Sequence, residues 1–298
     1  MNPLGNEKSA AAGRGSDTAI NLSKNAVPST RSEDLQQRTI ADFGEQWTAY
    51  IDNSGYYGSA ALFDDVFAPF LSASDLRDKT IAEIGSGTGR WVRVFLDAGA
   101  AHVIALEPSA AMETLQRSFG NVEQRVELVR ATGEMLPDRA DRDYVFSIGV
   151  LHHIPDPDPV CRAARAALKP GGVFGVWLYG REGNAAYLAA FRAVHAITRR
   201  LPHRALEAVA WILGWALDMY IAACSILPLP LRGYMTNVLA KLSRDKRRLV
   251  IYDQLNPAYA KYYRRGEAQA LLERAGFEDV RIHHRHGYSW TVIGRRPL

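Results

Sequence analysis

Hydrophobic residues follow two different spacings along most of this chain. Short apolar runs, typical of buried strands, occur at residues 80–84, 102–106, 126–129, 144–148 and 173–178. Most of these runs are separated by stretches with helical spacing, at 91–98, 108–119 and 158–168. Strands that alternate with helices at this rhythm form βαβ units, which build a parallel sheet. The pattern therefore predicts an α/β domain.

Two further helices are predicted before the first strand. Phe43, Trp47 and Tyr50 are spaced as on one face of a helix, and residues 60–71 have the same periodicity. Residues 1–38 instead mix Gly, Ala, Ser, Asn and balanced charge without an apolar period. Such a composition buries too little apolar surface to fold, so we expect a disordered leader over 1–38.

The alternation resumes near the end of the printed chain. Residues 267–275 have helical spacing, and the apolar runs 280–284 and 289–294 are placed to pair as a hairpin around Gly287. Together with the earlier runs this makes seven strands. We therefore predict a doubly wound, mostly parallel seven-stranded sheet, built from a core at 39–180 and completed by 266–298.

Residues 181–265 interrupt this pattern after the fifth strand, as a mostly helical insertion. They contain 14 Lys or Arg and 5 Asp or Glu, a net charge of +9. Because the whole chain has a net charge of +4, the remaining residues together have a net charge of −5. Within 208–231 the only charge is Asp218, beside Trp211 and Trp215. A charged residue near the centre of a span costs roughly 2.5–3.5 kcal/mol, so we expect no span. A lid, a homodimer contact and a helix at a membrane surface remain open.

Composition narrows the setting. Two cysteines in 298 residues cannot form a disulfide framework, and residues 1–12 have no secretory signal pattern. These features predict a cytoplasmic protein, either free or peripheral at the membrane. The basic residues are not interleaved with stackable aromatic residues, which argues against a nucleic-acid partner.

A glycine-rich loop follows the first predicted strand. It reads Glu-Ile-Gly-Ser-Gly-Thr-Gly-Arg from Glu83 to Arg90. Glycines in such a loop allow a sharp turn and a close approach to a ligand at the start of the next helix. The spacing is G-x-G-x-G, and Arg90 stands where nicotinamide dehydrogenases have their third glycine. Glu107 ends the second strand, 22 residues after Gly85, where a ribose is commonly held.

These motifs, with Gly-Glu-Met-Leu-Pro at 133–137, Val-Leu-His-His-Ile at 150–154 and Leu-Lys-Pro-Gly-Gly at 168–172, resemble the class I S-adenosylmethionine-dependent methyltransferases of the type 11 group. The resemblance implies a Rossmann-like fold with S-adenosylmethionine as the cofactor. Its loop glycines would line the methionine part, with Glu83 near the amino group and Glu107 on the ribose. Thr132, or the backbone near Gly133 and Glu134, would meet the adenine. The implied cofactor-binding residues are Glu83, Gly85, Ser86, Gly87, Gly89, Glu107, Pro108, Thr132, Gly133 and Glu134.

Candidates for catalysis and acceptor binding cluster at predicted strand ends. His152 and His153 follow the fourth strand, and His286 lies in the hairpin, where each is either a base or a structural group. The expected substrate-binding residues are mostly aromatic: Tyr56, Tyr57, Tyr252, Asn256, Tyr259, Tyr263 and Tyr288. We expect no metal site.

The fourth strand lacks the Asn-Pro-Pro-Tyr pattern of amide and adenine methyltransferases and the Pro-Cys pattern of cytosine methyltransferases. The prediction is methyl transfer to an oxygen or carbon of a small or lipid-like metabolite. Two alternatives remain: a non-catalytic scaffold or sensor that binds S-adenosylmethionine, and a methyltransferase that acts on a lipid or quinone at a membrane surface.

Overall fold

A single seven-stranded sheet organises the molecule. The computed structural model describes residues 31–122, 124–184, 188 and 203–298. The strands are β1 (Thr80–Ile84), β2 (His102–Leu106), β3 (Val126–Val129), β4 (Arg142–Ile148), β5 (Leu168–Tyr179), β6 (Glu278–Arg285) and β7 (Ser289–Arg295). Their order across the sheet is β3-β2-β1-β4-β5-β7-β6.

The strand directions match the predicted mostly parallel sheet. β1 pairs in parallel with β2 and β4, while β7 runs antiparallel to both β5 and β6. The carboxyl ends of β1, β2 and β4 therefore meet at one edge, and the β6–β7 turn lies at that same edge. In open α/β sheets this is the edge where ligands bind.

Helices cover both faces of the sheet, which confirms the doubly wound arrangement. They are α1 (Arg31–Ala49), α2 (Ala60–Phe67), α3 (Arg90–Asp97), α4 (Met112–Phe119), α5 (Asp158–Ala167), α6 (His203–Ile226), α7 (Arg232–Asn237), α8 (Arg244–Leu255) and α9 (Arg265–Arg274). On one face Phe63 packs edge-on against Phe95 and Phe146, with ring centroids 5.8 and 5.5 Å away. On the other face α5 and α9 bury Ala164 and Leu271 against the sheet.

Helix α1 corrects the predicted leader. Residues 1–30 lie outside the described residues, but 31–38 are helical and belong to α1. Glu33 and Asp34 lie in the first turn, where negative charge stabilises a helix N-terminus. The face by which α1 packs on the protein begins only near Thr39 and Ile40. The first two turns of the helix are polar, so hydrophobic periodicity could not predict them.

The described part of the insertion consists of α6, α7 and α8. Helix α6 packs along α8, and buried Ile221, Cys224 and Leu249 form a small core with Tyr57. Asp218 of α6 pairs with Arg247 and Arg244, at 2.6 and 3.1 Å. The lone charge of the apolar stretch is therefore neutralised on the side of α6 that faces the protein.

Candidate active site

A cavity of about 520 Å³ lies at the carboxyl edge of the parallel strands. One half of its wall is made by the glycine loop and the residues that end β2 and β4. The other half is made by α1, α6, α7 and α8 together with Trp177, Tyr179 and Tyr288 at the sheet. These are called the cofactor half and the acceptor half below.

The glycine loop has the conformation that its sequence predicts. Gly85 has φ +76°, and a Cβ built there would lie 2.5 Å from Val150 Cγ2. A side chain at this position would therefore be strained by its backbone and would collide with the turn after β4. The loop backbone can approach a ligand closely because no side chain stands between them.

Glu107 lies on the cavity wall, nearly fully buried. Its Oε2 accepts a hydrogen bond from the Gly87 N–H at 2.8 Å, and its Oε1 accepts from the Ser109 N–H at 2.9 Å and from the Ser109 hydroxyl. A carboxylate can accept about four hydrogen bonds, two at each oxygen. Oε1 accepts two of the bonds named above and Oε2 accepts one, so Oε2 can accept a further bond from a ribose hydroxyl. Glu107 therefore offers a hydrogen-bond acceptor of the kind that the ribose of a nucleoside needs.

Seven of the ten predicted cofactor residues line this cavity: Gly85, Ser86, Gly87, Glu107, Pro108, Thr132 and Gly133. The other three are placed elsewhere. Gly89 faces α4, where a Cβ would lie 2.3 Å from Phe119. Glu134 is exposed. Glu83 is buried beneath the loop, close to Ser86 and Arg90.

Burial determines the protonation of Glu83. Desolvation raises the pKa of its carboxyl to about 8, against the opposing effects of Ser86 and Arg90. Its Oε2 has no hydrogen-bond partner among the described residues. In this structure Glu83 therefore supports the loop from below and does not itself line the cavity, and its expected place near the amino group of the cofactor stays a prediction.

The two adjacent histidines after β4 have different environments. His153 lines the cavity, and its Nδ1 lies 2.8 Å from the Tyr259 carbonyl oxygen. His152 is fully buried off the cavity wall and stacks on Tyr179, with ring centroids 3.7 Å apart. Burial is the larger cause that lowers the pKa of His152 well below its ordinary value, and the nearby His153 lowers it further. His152 is thus a neutral packing group.

His286 makes a structural contact outside the cavity. Its Nε2 lies 2.7 Å from Asp65 Oδ1, and the neighbouring Arg285 also pairs with Asp65. The ring joins the β6–β7 turn to α2 and does not line the cavity. The turn opens at the carboxyl edge of the parallel strands, and there Tyr288, not His286, lines the cavity.

Of the seven predicted substrate residues, Tyr57 and Tyr288 line the cavity. The other five support the wall from behind. Tyr56 packs beside Lys241, the Tyr252 hydroxyl donates a hydrogen bond to the Asn256 side chain, and that side chain donates to Asp42 and Gln46. The backbone carbonyls of Tyr259 and Tyr263 accept hydrogen bonds from the His153 and Trp290 rings. Most of these contacts form between distant parts of the chain. Residue type alone therefore could not show which residues line the cavity and which lie behind its wall.

A hydrogen-bonded group in the acceptor half was missed by the sequence analysis. The Tyr179 hydroxyl donates to Asp253 Oδ2 at 3.0 Å and accepts from Gln254 Nε2 at 2.7 Å. Gln46 Nε2 fixes the other oxygen of Asp253 at 2.9 Å, and the Tyr262 hydroxyl donates to Gln254 Oε1. The only available signal was the density of polar and aromatic residues at 252–264.

Comparisons with known proteins agree with this geometry. Residues 82–176 match the family model described as a methyltransferase domain. An uncharacterized methyltransferase of Mycolicibacterium gilvum (strain PYR-GCK) is 30% identical over 173 residues, which cover 51% of this chain and 64% of that protein. A ubiquinone biosynthesis O-methyltransferase of Hydrogenovibrio crunogenus (strain DSM 25203 / XCL-2) is 25% identical over 185 residues, which cover 61% and 71%.

A solved structure shares the fold. It is the Burkholderia thailandensis 1,6-didemethyltoxoflavin-N1-methyltransferase, with its acceptor and S-adenosylhomocysteine bound. It is 16% identical, with a TM-score of 0.50 over 91% of this chain and 92% of that one. The family match, with the glycine loop and Glu107 inside it, identifies residues 82–176 as a class I S-adenosylmethionine-dependent methyltransferase domain of the type 11 group. S-adenosylmethionine is the cofactor of this domain.

Proposed function

We propose that this protein transfers a methyl group from S-adenosylmethionine to the oxygen of a weakly acidic hydroxyl, or to an acidic carbon, on an acceptor with an apolar body. The observation that carries the proposal is the placement of His153 on the cavity wall.

The Tyr259 carbonyl selects the tautomer of His153. A carbonyl oxygen only accepts hydrogen bonds, so Nδ1 carries the hydrogen and donates it across the 2.8 Å contact. The lone pair is consequently on Nε2. A neutral imidazole that lines a cavity and has its lone pair on a defined atom can act as a general base for an acceptor placed against it.

Burial keeps this imidazole neutral. Desolvation lowers the pKa of His153 below its ordinary value, while the charge of Asp253 and the bond to Tyr259 oppose that shift. The base form therefore dominates at neutral pH. Protonation, and with it loss of the base, is expected only as the pH falls below about 6.5.

The acceptor half is suited to an apolar body. Its insertion side is lined by aliphatic groups, among them Leu213, Leu217, Met235, Leu239 and Leu249. The polar edge made by Asp253, Gln254 and Tyr179 can orient one end of the acceptor, while its body removes apolar wall from water. The O-methyltransferase of ubiquinone biosynthesis among the relatives is consistent with such an acceptor.

When bound, S-adenosylmethionine supplies a methyl group on a sulfonium, which is already an excellent leaving group. The protein's contribution is therefore mainly placement, because holding two reactants in line converts a bimolecular step into an effectively unimolecular one. Glu107 and the loop would fix the cofactor, and Tyr288, Asp253 and Gln254 would orient the acceptor.

The test is transfer of a labelled methyl group to a panel of phenols and enolisable compounds with and without apolar substituents. We expect turnover, with substituted phenols preferred. His153→Asn should lower kcat/KM by about 100-fold or more, remove the acidic limb below pH 6.5 and leave cofactor binding unchanged. His102→Asn, at the opposite edge of the sheet, is the matched control. Cofactor binding without turnover on the whole panel would instead support a scaffold or sensor.

A further inference from the structure

Helix α6 presents an apolar surface away from the protein. Five large side chains form this outer face, and their exposed fractions are high: Trp211 52%, Ile212 63%, Trp215 46%, Met219 72% and Ile226 81%. Trp211, Trp215 and Met219 follow one another at four-residue spacing, and Ile212 and Ile226 lie within about 100° of them around the helix, so the five form one stripe. A contiguous apolar stripe of this size on a protein surface marks an interaction site.

We propose that the outer face of α6 docks on the surface of an anionic lipid bilayer, with the helix lying in the plane of the interface. This inference stands on the insertion alone and does not depend on the identity of the acceptor.

The position of Asp218 indicates that the helix lies flat. Residues Ala208–Ile226 are long and apolar enough to cross a membrane by length and composition. However, Asp218 pairs with Arg247 and Arg244, and the side of α6 that carries it packs against α8. Crossing would break these pairs and bury the carboxylate in hydrocarbon. Lying in the interface leaves the inner face packed and places only the outer face in lipid.

Basic residues border the apolar stripe, and this charge indicates the occupant. The Arg244 guanidinium lies 4.9 Å from the Trp215 ring centroid, and that of Arg248 lies 5.8 Å from Trp211. Arg232 donates to the Cys224 carbonyl near the far end of the helix. Tryptophan with arginine over its ring is a combination that settles at the head-group level. Asp218 and Asp245 pair with these arginines, but Arg232, Arg244, Arg247 and Arg248 outnumber them, so this border keeps a net positive charge that is attracted to anionic lipid.

The same charges argue against a second copy of the chain as the occupant. A symmetric dimer contact is self-complementary, so the outer face would meet its own two-fold image. In an antiparallel pairing of the two copies of α6, the row of Arg244 and Arg248 would lie beside the same row of the partner. An anionic surface relieves this repulsion, whereas a second copy adds to it.

Docking has a consequence for the cavity. Leu213 and Leu217 lie on the inner side of the same helix and line the acceptor half. A bilayer bound to the outer face would therefore lie one helix thickness from the acceptor half. If the proposed function holds, this arrangement suits an acceptor that partitions into membranes.

The test is flotation of the full chain with phosphatidylcholine vesicles, with and without phosphatidylglycerol, at low and high salt. We expect recovery at least about tenfold higher with the anionic vesicles, and a decrease at high salt. Absence of wild-type recovery on anionic vesicles would overturn the proposal. Cofactor binding, measured separately, shows that each variant is folded, and methyl transfer to a soluble acceptor tests the proposed function independently.

Variants identify the face. Trp211→Ser with Trp215→Ser should lower vesicle recovery about tenfold. Met219→Ser and Met135→Ser form a matched pair, because both methionines are highly exposed but only Met219 lies on the outer face. The first should weaken recovery and the second should not. Equal recovery of the tryptophan variant and the wild type would overturn the proposal, as would a lipid-free dimer that this variant dissociates.

Discussion

The two halves of the cavity are built by different means. In the cofactor half the backbone of the glycine loop and the carboxylate of Glu107 form the wall, and both are attached to strands whose register fixes them. In the acceptor half the wall consists mostly of side chains from four helices, together with Trp177, Tyr179 and Tyr288 at the sheet. None of those helices belongs to the region of the family match at 82–176.

This difference explains how one domain family can serve many acceptors. Strand ends of a parallel sheet stay in place when surface helices change, so the cofactor half is constant in geometry. The helices of the acceptor half can change in length and composition without disturbing the sheet. Perturbations of the two halves should therefore separate: one set alters cofactor affinity, and the other alters acceptor recognition.

The largest expected effect is at the backbone of the cofactor half. Gly85→Ala places a methyl group 2.5 Å from Val150 at a positive φ. The variant loop should shift to relieve strain and collision, and restoring its binding conformation should cost about 4 kcal/mol, or about a 1,000-fold loss in cofactor affinity by calorimetry. Gly99→Ala is the control, because Gly99 also has positive φ but its Cβ would meet only ordinary contacts. Similar affinity losses in both variants would contradict a specific role for the loop.

The next effect concerns the ribose. Glu107→Gln removes the charge that strengthens hydrogen bonds to hydroxyl groups, while keeping one acceptor oxygen. We expect about 100-fold weaker cofactor binding, and no change in the acceptor KM at saturating cofactor. Titration calorimetry and steady-state kinetics together check both parts. A selective change in the acceptor KM would show that the two halves are not separable.

The sequence predicted the cofactor half well because its residues are local to strand ends. Once β1 and β2 are identified, Gly85 and Glu107 must meet at the same edge, whatever the rest of the chain does. Gly89 and Glu83 belong to the same motif but are turned away from the cavity. Their type and spacing match the family, and only the three-dimensional course of the loop shows which way they face.

The acceptor half was predicted less completely because long-range packing decides it. His152 and His153 are identical residue types at adjacent positions, and the turn after β4 alone places His153 on the wall and His152 beneath it. Gln36 lies within the predicted disordered leader, yet it lines the cavity. The reason is that helix α1 begins at Arg31, before the first apolar residues of its buried face. No local pattern could show that Gln46 would hold Asp253, 207 residues further along the chain.

A third prediction concerns Glu83, which lies beneath the cofactor half. Its folded pKa of about 8 is above the ordinary 4.5, so the folded state binds an extra proton between these values and loses stability as the pH rises through them. Glu83→Gln mimics the protonated form. We expect this variant to be more stable than the wild type by several kcal/mol at pH 9, and nearly equal to it at pH 5.

Chemical denaturation of the ligand-free protein at the two pH values measures this difference. Glu278→Gln, at an exposed position at the start of β6, provides the control and should behave alike at both. Equal stabilities of Glu83→Gln and the wild type at pH 9 would mean that Glu83 is not held in a dry site under the loop.

The smallest effect is expected in the acceptor half. Leu217 lies on the inner side of α6 and lines the cavity, so Leu217→Ala removes apolar contact with the acceptor while leaving the sheet untouched. The KM for an apolar phenol should rise about tenfold, with cofactor affinity unchanged. Ile212→Ala makes a similar truncation on the outer side of the same helix, and it should not change that KM in the absence of lipid. Equal effects of both variants would mean that α6 acts through its general stability, and that its inner side has no particular role in the acceptor half.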